Sequence, residues 1–491
     1  MLFNTFIFYI FLAVVLIGYR LAPGSRGRAW LLLAASYAFY SYWDWRFTAL
    51  LALPTVVDYA VGLGLGRTVE PRARKRLLLA SCAVNLGALA MFKYFDFFVG
   101  SAAALGEAIG LRMDDVHLRL ILPMGISFYT FKSLSYTIDV YRRQMEPTRS
   151  LLGYALFIAF FPNVVAGPIE RARNLLPQLG CLKTASRRQV GEGVVLIALG
   201  LFKKVLIGDA SGRIVDNLFG QAELYASPEL LAGILLFTIQ IYADFSGYSN
   251  IARGVGRLLG LELMQNFAQP YLSRSFSEFW RRWHISLSTW IWDYIFNPLM
   301  SATLRRVGRL NLSSVQAEMQ IAYPIVAMAT MLLCGLWHGA GVTFLLWGGF
   351  HGLLLTLERL AVYRGKTIPM RVRIRGTGDL LRFIGGWVTT QILVSFAWLF
   401  FRAENMGQAW YFIEQILHWQ GSDLTGRFAG MTLVYGSVVL ALDQIEYRTG
   451  SELYLLRLRP AVAAAVCLAL LIAVGLYMAT TKPLPFVYFQ F

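Results

Sequence analysis

A histidine within a long uncharged stretch is the first residue that could do chemistry. His338 lies in Gly335-Leu336-Trp337-His338-Gly339, inside residues 321–357, where no Asp, Glu, Lys or Arg occurs. As one straight helix this stretch would measure about 56 Å, nearly twice the ~30 Å hydrocarbon core of a membrane. We therefore expect the helix to break at the glycines and to place His338 on irregular backbone. At membrane depth such backbone is tolerated only where it is buried in protein or lines a wet cavity.

The chemistry expected of His338 is proton transfer. Imidazole titrates near neutral pH, and burial favours its uncharged form, which can accept a proton from a substrate hydroxyl. A structural histidine that is hydrogen-bonded to a facing helix would give the same signal in the sequence. From the residue alone, both roles remain open.

A second histidine follows a predicted helix start. Ser275 and Glu278 have the spacing of a capping box, so we expect a helix to begin there. Trp280, His284 and Ser288 follow at intervals of four residues, which would place them on one face of that helix. The pattern predicts a polar stripe flanked by aromatic side chains.

Several charged or polar side chains near these histidines have open roles. Arg281 and Arg282 could hold a phosphorylated ligand, although we favour contact with lipid phosphates or with helix-end carbonyl groups. Asp244 and Asn250 interrupt a different apolar run, and ionisable groups at membrane depth are functional candidates by default. Structural and functional roles both remain open for this second pair.

The elements that must position these residues are membrane helices. Of the 491 residues 57% are hydrophobic and only 15% are charged, against ~25% in a typical soluble domain, so an ordinary soluble enzyme is excluded. The net charge is +17, but the basic residues lie in short connectors such as 20–28, 67–76 and 364–375. In such connectors they fix topology and contact anionic lipids. Nucleic acid is therefore not an expected partner.

Repeated apolar runs predict an all-α polytopic membrane protein with about 11–13 transmembrane or re-entrant helices. No polar segment is long enough to fold alone, so residues 1–491 are expected to form a single membrane domain. We divide it into N-terminal helices (1–117), a catalytic core (118–402) and a last part (403–491). The last part is expected to contain two spans and an interfacial helix, which the amphipathic stretch 405–419 predicts.

Several motifs resemble those of the membrane-bound O-acyltransferase (MBOAT) superfamily. The resemblance is carried by Gly335-Leu336-Trp337-His338-Gly339 and by Arg282-Trp283-His284-Ile285-Ser286-Leu287-Ser288. Within the superfamily, segments 122–131, 161–169 and 243–249 resemble the branch of bacterial alginate O-acetylation. The match extends from the first residue to about residue 402, and the residues that follow match only loosely.

The resemblance implies a barrel-like bundle of helices around a tunnel that crosses the membrane. His338 matches the invariant catalytic histidine, His284 a second active-site position, and His351 a recurrent position with a structural role. Two departures concern the substrate or partner: residues 300–305 replace a Gly-Gly-Asn-Arg turn, and Asn250 stands where aspartate is common. The candidate acyl-donor or tunnel-lining residues are Trp283, Ser286, Ser288, Trp337, Asp244, Asn250, His351, Arg281 and Arg282.

By this resemblance the protein is expected to be a multi-pass O-acetyltransferase of the bacterial inner membrane. Acetyl-CoA would be the donor, His338 would deprotonate an acceptor hydroxyl, and no metal or tightly bound cofactor is expected. The final acceptor would be an exported polysaccharide such as alginate. Because no sizeable soluble segment could grip a polymer, the expected partners are a separate periplasmic acetyltransferase and an exopolysaccharide assembly complex, besides membrane lipids.

Two alternatives remain open at this point. A related acyltransferase could use an acyl-carrier protein as donor and a teichoic acid or a lipid as acceptor. Broken helices with intramembrane ionisable residues also suit a transporter, although the two halves of the chain show no internal duplication of the kind found in many transporters.

Overall fold

The computed structural model describes residues 1–110, 120–310, 315–361 and 376–489. The described chain is helical, with no β-strand among these residues. Seven of its helices are long and apolar enough to cross a membrane, which confirms an all-α, multi-pass membrane protein. These candidate spans are Trp45–Arg67, Pro71–Ala108, Ser227–Leu258, Glu318–His338, Thr377–Arg402, Thr425–Thr449 and Pro460–Thr480.

The α-helices are numbered here in chain order. The first half of the described chain contains α1 (Phe6–Leu21), α2 (Gly24–Ser41), α3 (Thr48–Arg67), α4 (Pro71–Leu89), α5 (Phe95–Ala108), α6 (Ile126–Tyr141), α7 (Leu151–Ala159), α8 (Ala172–Gly180), α9 (Arg187–Leu201) and α10 (Ala210–Gly220). The second half contains α11 (Ser227–Leu258), α12 (Phe276–Arg282), α13 (Ile285–Ile291), α14 (Asn297–Val307), α15 (Val315–His338), α16 (Val342–Ala361), α17 (Thr377–Arg402), α18 (Met406–Leu417), α19 (Thr425–Thr449) and α20 (Pro460–Thr480). Wider π-helical turns continue three of these helices at Ala90–Tyr94, Phe202–Asp209 and Trp292–Phe296.

The chain divides into two compact units. The first comprises residues 1–197 and 248–264, and the second comprises residues 198–247 and 265–491. The predicted single membrane domain with subdivisions after residues 117 and 402 stays a prediction. The first of these boundaries and the basic connector 364–375 lie outside the described residues.

Buried polar side chains link the helices of the first unit. Asp58 Oδ2 accepts hydrogen bonds from Asn85 Nδ2 at 2.7 Å and from the Ser133 hydroxyl. The Ser133 oxygen also lies 3.0 Å from the Tyr154 hydroxyl oxygen. These side chains belong to α3, α4, α6 and α7. Because buried polar groups need internal partners, the network fixes how these four helices pack.

In the second unit the predicted helix start at Ser275 is confirmed, but the predicted shared face is wrong. The Ser275 hydroxyl accepts a hydrogen bond from the Glu278 N–H at 3.1 Å, and α12 begins at the next residue. α12 is short, and the backbone at Trp283 is already extended. Trp280 therefore lies on α12 whereas His284 precedes α13, so the predicted polar stripe does not form.

The predicted amphipathic helix is confirmed as α18. Asn405 Oδ1 caps it by accepting a hydrogen bond from the Gln408 N–H at 2.9 Å. Ala409 and Phe412 are buried, whereas Trp410 is exposed. One face of α18 therefore packs on the protein, and its location at the membrane interface stays a prediction.

Candidate active site

His338 is the last residue of α15, so the prediction that it lies on irregular backbone is wrong by one residue, and the irregular backbone begins at Gly339. α15 and α16 form a hairpin whose backbones are in direct contact. A Cβ atom at Gly335 would overlap with the carbonyl oxygen of Phe344, and one at Gly348 with that of Met331. Only glycine permits this approach, so the two glycines determine where the hairpin places His338.

His284 occupies a strained backbone position between α12 and α13. Its φ of 42° and ψ of 55° lie in the left-handed region, which costs a non-glycine residue on the order of 1–3 kcal/mol. Neighbouring hydrogen bonds hold it there: the Ile285 N–H donates to Asn266 O at 2.8 Å, and the Ser288 N–H donates to His284 O at 2.9 Å. Such strain persists where the surrounding structure imposes it, and it concentrates at functional sites.

Two aromatic rings lie against both histidines. The Trp337 ring centroid is 4.7 Å from that of His338 and 6.2 Å from that of His284. The Tyr488 ring centroid is 5.3 Å from that of His338 and 6.4 Å from that of His284. The structure therefore brings the two predicted catalytic histidines together, although they are far apart in the sequence.

Further apolar rings enclose the imidazoles. The ring centroid of Phe245 lies 4.5 Å from that of His284, and those of Trp347 and Phe401 lie 5.0 and 5.1 Å from that of His338. The exposed fraction is 0% for His284 and 4% for His338. We call this group the histidine cluster: His284, His338, Trp337, Tyr488, Phe245, Trp347 and Phe401.

Burial keeps the His284 imidazole uncharged. It lowers the pKa of His284 to about 3, because a charged ring would lose its hydration. Neither ring nitrogen of His284 has a hydrogen-bond partner among the described residues. An uncharged imidazole carries one N–H donor and one acceptor nitrogen. His284 can therefore donate a hydrogen bond to a substrate carbonyl oxygen.

The predicted serines hold the backbone around His284. Ser286 Oγ donates to Asn266 Oδ1 at 2.6 Å, and Ser288 Oγ donates to the Trp283 carbonyl oxygen at 3.0 Å. The Ser286 hydroxyl thus satisfies a side chain in the segment that precedes α12, and the Ser288 hydroxyl satisfies a carbonyl group between α12 and α13. Contact of these serines with the acyl donor stays a prediction.

The two predicted arginines have different environments. Arg282 is 2% exposed, its Nη2 lies 2.8 Å from Glu278 Oε1, and its Nη1 donates to the Ala268 carbonyl oxygen at 2.9 Å. The carbonyl contact that we favour is present, but in a loop rather than at a helix end. Arg281 is exposed and is therefore the arginine of this pair that a lipid phosphate can reach.

Trp283 and His351 belong to an aromatic layer behind the histidine cluster. The Trp347 ring centroid lies 5.0 Å from that of His338 and 4.9 Å from that of His351. Trp283 packs 5.0 Å from Trp398, measured between ring centroids. His351 and Trp283 are almost completely buried, and this placement supports the structural role expected of His351.

Asp244 forms an ion pair with Lys204 and contacts a distant segment of the chain. Lys204 Nζ lies 2.5 Å from Asp244 Oδ1 and 2.6 Å from Asp209 Oδ1. Asp244 Oδ2 accepts a hydrogen bond from the Val487 N–H at 2.7 Å. Asn250 is buried in the first unit, and its role stays a prediction.

Reasoning from the sequence missed Tyr488 and Lys204. The available signals were two aromatic residues, Phe486 and Tyr488, at alternate positions of 484–489, and adjacent lysines, Lys203 and Lys204, in an apolar run. Charged residues within an apolar run need buried partners. Neither signal identifies the partner, because both depend on contacts between distant parts of the chain.

The arrangement suits transfer of an acyl group to an alcohol. One imidazole can accept the proton of a hydroxyl group, and a second, uncharged imidazole can donate to a carbonyl oxygen on which negative charge develops. The surrounding rings exclude water, which strengthens both interactions.

Comparison with known proteins identifies the family. The sequence model of MBOAT, the membrane-bound O-acyltransferase family, matches residues 37–317. The probable alginate O-acetylase of Pseudomonas aeruginosa is 38% identical over 90% of this chain and 81% of that protein. The probable alginate O-acetylase of Azotobacter vinelandii is 40% identical over 83% of this chain and 76% of that protein. The peptidoglycan O-acetyltransferase of Helicobacter pylori is 31% identical over 83% of this chain and 78% of that protein. The chain therefore belongs to the membrane-bound O-acyltransferase family, in its alginate O-acetylation branch, and is an O-acyltransferase.

Proposed function

We propose that the protein passes an acetyl group from cytoplasmic acetyl-CoA across the inner membrane of a bacterium, and that a periplasmic partner acetyltransferase delivers it to hydroxyl groups of an exported polysaccharide such as alginate. The observation that carries the proposal is the histidine cluster, in which His338 and His284 share Trp337 and Tyr488 as neighbours. The similarity to two alginate O-acetylases supports a polysaccharide as acceptor.

In the proposed reaction His338 is the general base. It accepts the proton of the acceptor hydroxyl as the oxygen attacks the carbonyl carbon of the thioester. The new carbon–oxygen bond forms, the carbon–sulfur bond breaks, and His338 gives the proton to the departing thiolate. A thiolate is a workable leaving group because thiols ionise near pH 8.5.

His284 has the complementary role at the carbonyl oxygen. Because its imidazole is uncharged, it donates a hydrogen bond from one ring nitrogen to the oxygen on which negative charge develops. The packing of Phe245, Trp337 and Tyr488 against the His284 ring fixes the direction of the ring in advance. No reorganisation is then needed when the charge appears.

A separate periplasmic acetyltransferase is the proposed partner that carries the acetyl group to the polymer within an exopolysaccharide assembly complex. The described residues form helices joined by short connectors, and a polymer-binding domain is not among them. This organisation supports a division of labour between transfer across the membrane, by this chain, and delivery to the polymer, by a partner.

The test is the ester content of the exported polymer in cells that contain wild type, His338→Ala or His284→Ala at equal membrane levels. We expect each variant to lower the rate of acetylation by about 10²- to 10⁴-fold, the usual contribution of general acid–base or oxyanion-stabilising groups. His418→Ala is the matched control, because His418 is an exposed histidine that follows α18. Unchanged acetylation in His338→Ala would exclude His338 as the base.

The donor is tested separately with radiolabelled acetyl-CoA and membranes from cells that contain the protein, its periplasmic partner and the polymer. His338-dependent incorporation of label into polymer is the expected result. Incorporation only from an acylated carrier protein would contradict the proposed donor and favour the alternative acyltransferase chemistry.

A further inference from the structure

The segment 484–489 approaches the histidine cluster from a part of the chain that carries neither histidine. The Val487 N–H donates to Asp244 Oδ2 at 2.7 Å, and Lys204 Nζ donates to the Pro485 carbonyl oxygen at 3.3 Å. Lys204 and Asp244 form an ion pair, with side chains that are 1% and 3% exposed. Two buried charged side chains thus hold the main chain of the segment.

This contact places two aromatic side chains of the segment against the cluster. The Phe486 ring is fully buried, and its centroid lies 5.1 Å from that of Phe245. Tyr488 stacks on Phe486 with 5.3 Å between the ring centroids and lies against both His338 and His284. The segment therefore packs against both imidazole rings and covers one side of the histidine cluster.

Tyr488 differs in accessibility from the other rings of the histidine cluster. The exposed fraction is 0% for Phe245, Trp347 and Phe401 and 6% for Trp337, whereas Tyr488 is partly exposed. The Tyr488 hydroxyl has no hydrogen-bond partner among the described residues. The Tyr488 hydroxyl is itself buried, so the partial exposure of Tyr488 belongs to other atoms of the residue.

We infer that the segment 484–489 is a wall of the acyl site that limits the length of the transferred acyl group, and that Asp244 and Lys204 are positioning residues that hold this wall. The inference rests on the proposed transfer by His338. An acetyl group carries only a methyl group on its carbonyl carbon, so it needs little space beside the imidazoles. A longer acyl chain would have to enter the volume that the Tyr488 ring fills. One methylene changes discrimination by about 10- to 200-fold.

Two substitutions test whether Asp244 holds the segment 484–489. Each removes one of the two carboxylates beside Lys204 and leaves its ammonium group paired with the other. Lys204 faces two carboxylates, Asp244 at 2.5 Å and Asp209 at 2.6 Å. Removal of either carboxylate leaves Lys204 with one carboxylate partner, but only Asp244 accepts the hydrogen bond from Val487. Asp244→Ala should therefore release the segment, whereas Asp209→Ala should not.

The experiment measures donor-length selectivity in membranes from cells that contain the full acylation system. Each sample receives acetyl-CoA, propionyl-CoA or butyryl-CoA at equal concentration, and release of the CoA thiol is recorded relative to His338→Ala. We expect the butyryl-to-acetyl ratio to rise at least about tenfold in Tyr488→Ala and Asp244→Ala. The ratio should stay within about twofold of wild type in Tyr488→Phe, which keeps the ring, and in Asp209→Ala.

An unchanged butyryl-to-acetyl ratio in Tyr488→Ala would contradict the inference that the segment limits acyl length. An equal loss of thiol release with all three donors would contradict it as well. A raised ratio in Tyr488→Ala together with an unchanged ratio in Asp244→Ala would overturn the role of the ion pair. Tyr488→Leu replaces Tyr488→Ala if the alanine variant does not accumulate in the membrane, with the same expected rise. Thiol release that is equal in wild type and His338→Ala would overturn the proposed function itself, which separates the two failures.

Discussion

A methyl group at Gly335 should displace His338 and slow acyl transfer. In Gly335→Ala the new Cβ would lie 3.1 Å from the carbonyl carbon of Phe344 and 3.3 Å from the Cα of Gly348, besides its overlap with the Phe344 oxygen. Carbon atoms in contact are ~3.5–4.0 Å apart, so α15 and α16 must separate by roughly 0.5–1 Å. His338 lies one helical turn after Gly335, and a misplacement of ~1 Å costs about 100-fold in rate.

The assay is polymer ester content at equal membrane levels, combined with the midpoint of thermal unfolding of the purified protein. Gly349→Ala is the matched control, because its Cβ would make an ordinary 3.5 Å contact with Leu332 Cδ2. Alanine is also preferred to glycine inside a helix by roughly 0.5–1 kcal/mol, so Gly349→Ala should not destabilise α16. Because the new methyl group displaces nothing, His338 should stay in place and the control should be fully active. If Gly335→Ala transferred acetyl groups within about threefold of wild type, close packing of the hairpin would not position His338.

Two further predictions concern His284. His284→Asn should unfold at a higher temperature than His284→Ala, because asparagine tolerates the left-handed region, yet both should lose acetylation; an active His284→Asn would show that the imidazole is not needed. The stability of wild type should decrease as pH falls from about 6.5 toward 3, because the unfolded chain binds a proton at His284 that the folded protein, with the pKa of His284 lowered to about 3, does not. As pH falls over this range, the midpoint of thermal unfolding should decrease less steeply in His284→Asn than in wild type. Equal dependence of the midpoint on pH in the two proteins would contradict the burial of an uncharged His284 ring.

The position of His338 could be predicted from local signals. A charge-free stretch too long for one span, interrupted by glycines, is enough to predict a hairpin with the histidine at its turn. The start of α12 is equally local, because its N-cap bond joins only the Ser275 hydroxyl and the N–H of Glu278. The choice between an enzyme and a transporter required the family match, because broken membrane helices serve both.

The conformation of His284 could not be predicted from the sequence. Nothing in Trp283-His284-Ile285 marks a left-handed residue, and helical spacing continues through it. The hydrogen bond from the Ile285 N–H to Asn266 O imposes the turn, and this contact joins residues that no periodicity relates. Tyr488 was missed for the same reason, because its place beside the histidines depends on Asp244 and Lys204.

The indole rings behind the histidines have a further consequence. Trp347 and Trp398 lie 5.7 Å apart at 24° between their planes, and Trp283 is 5.0 Å from Trp398. Chromophores held this close in a fixed, asymmetric array give near-ultraviolet circular dichroism that disappears when specific packing is lost. These tryptophans should thus contribute to the near-ultraviolet circular dichroism of the folded protein. The spectrum would then show whether the rings behind the histidines are packed, without any donor or acceptor present.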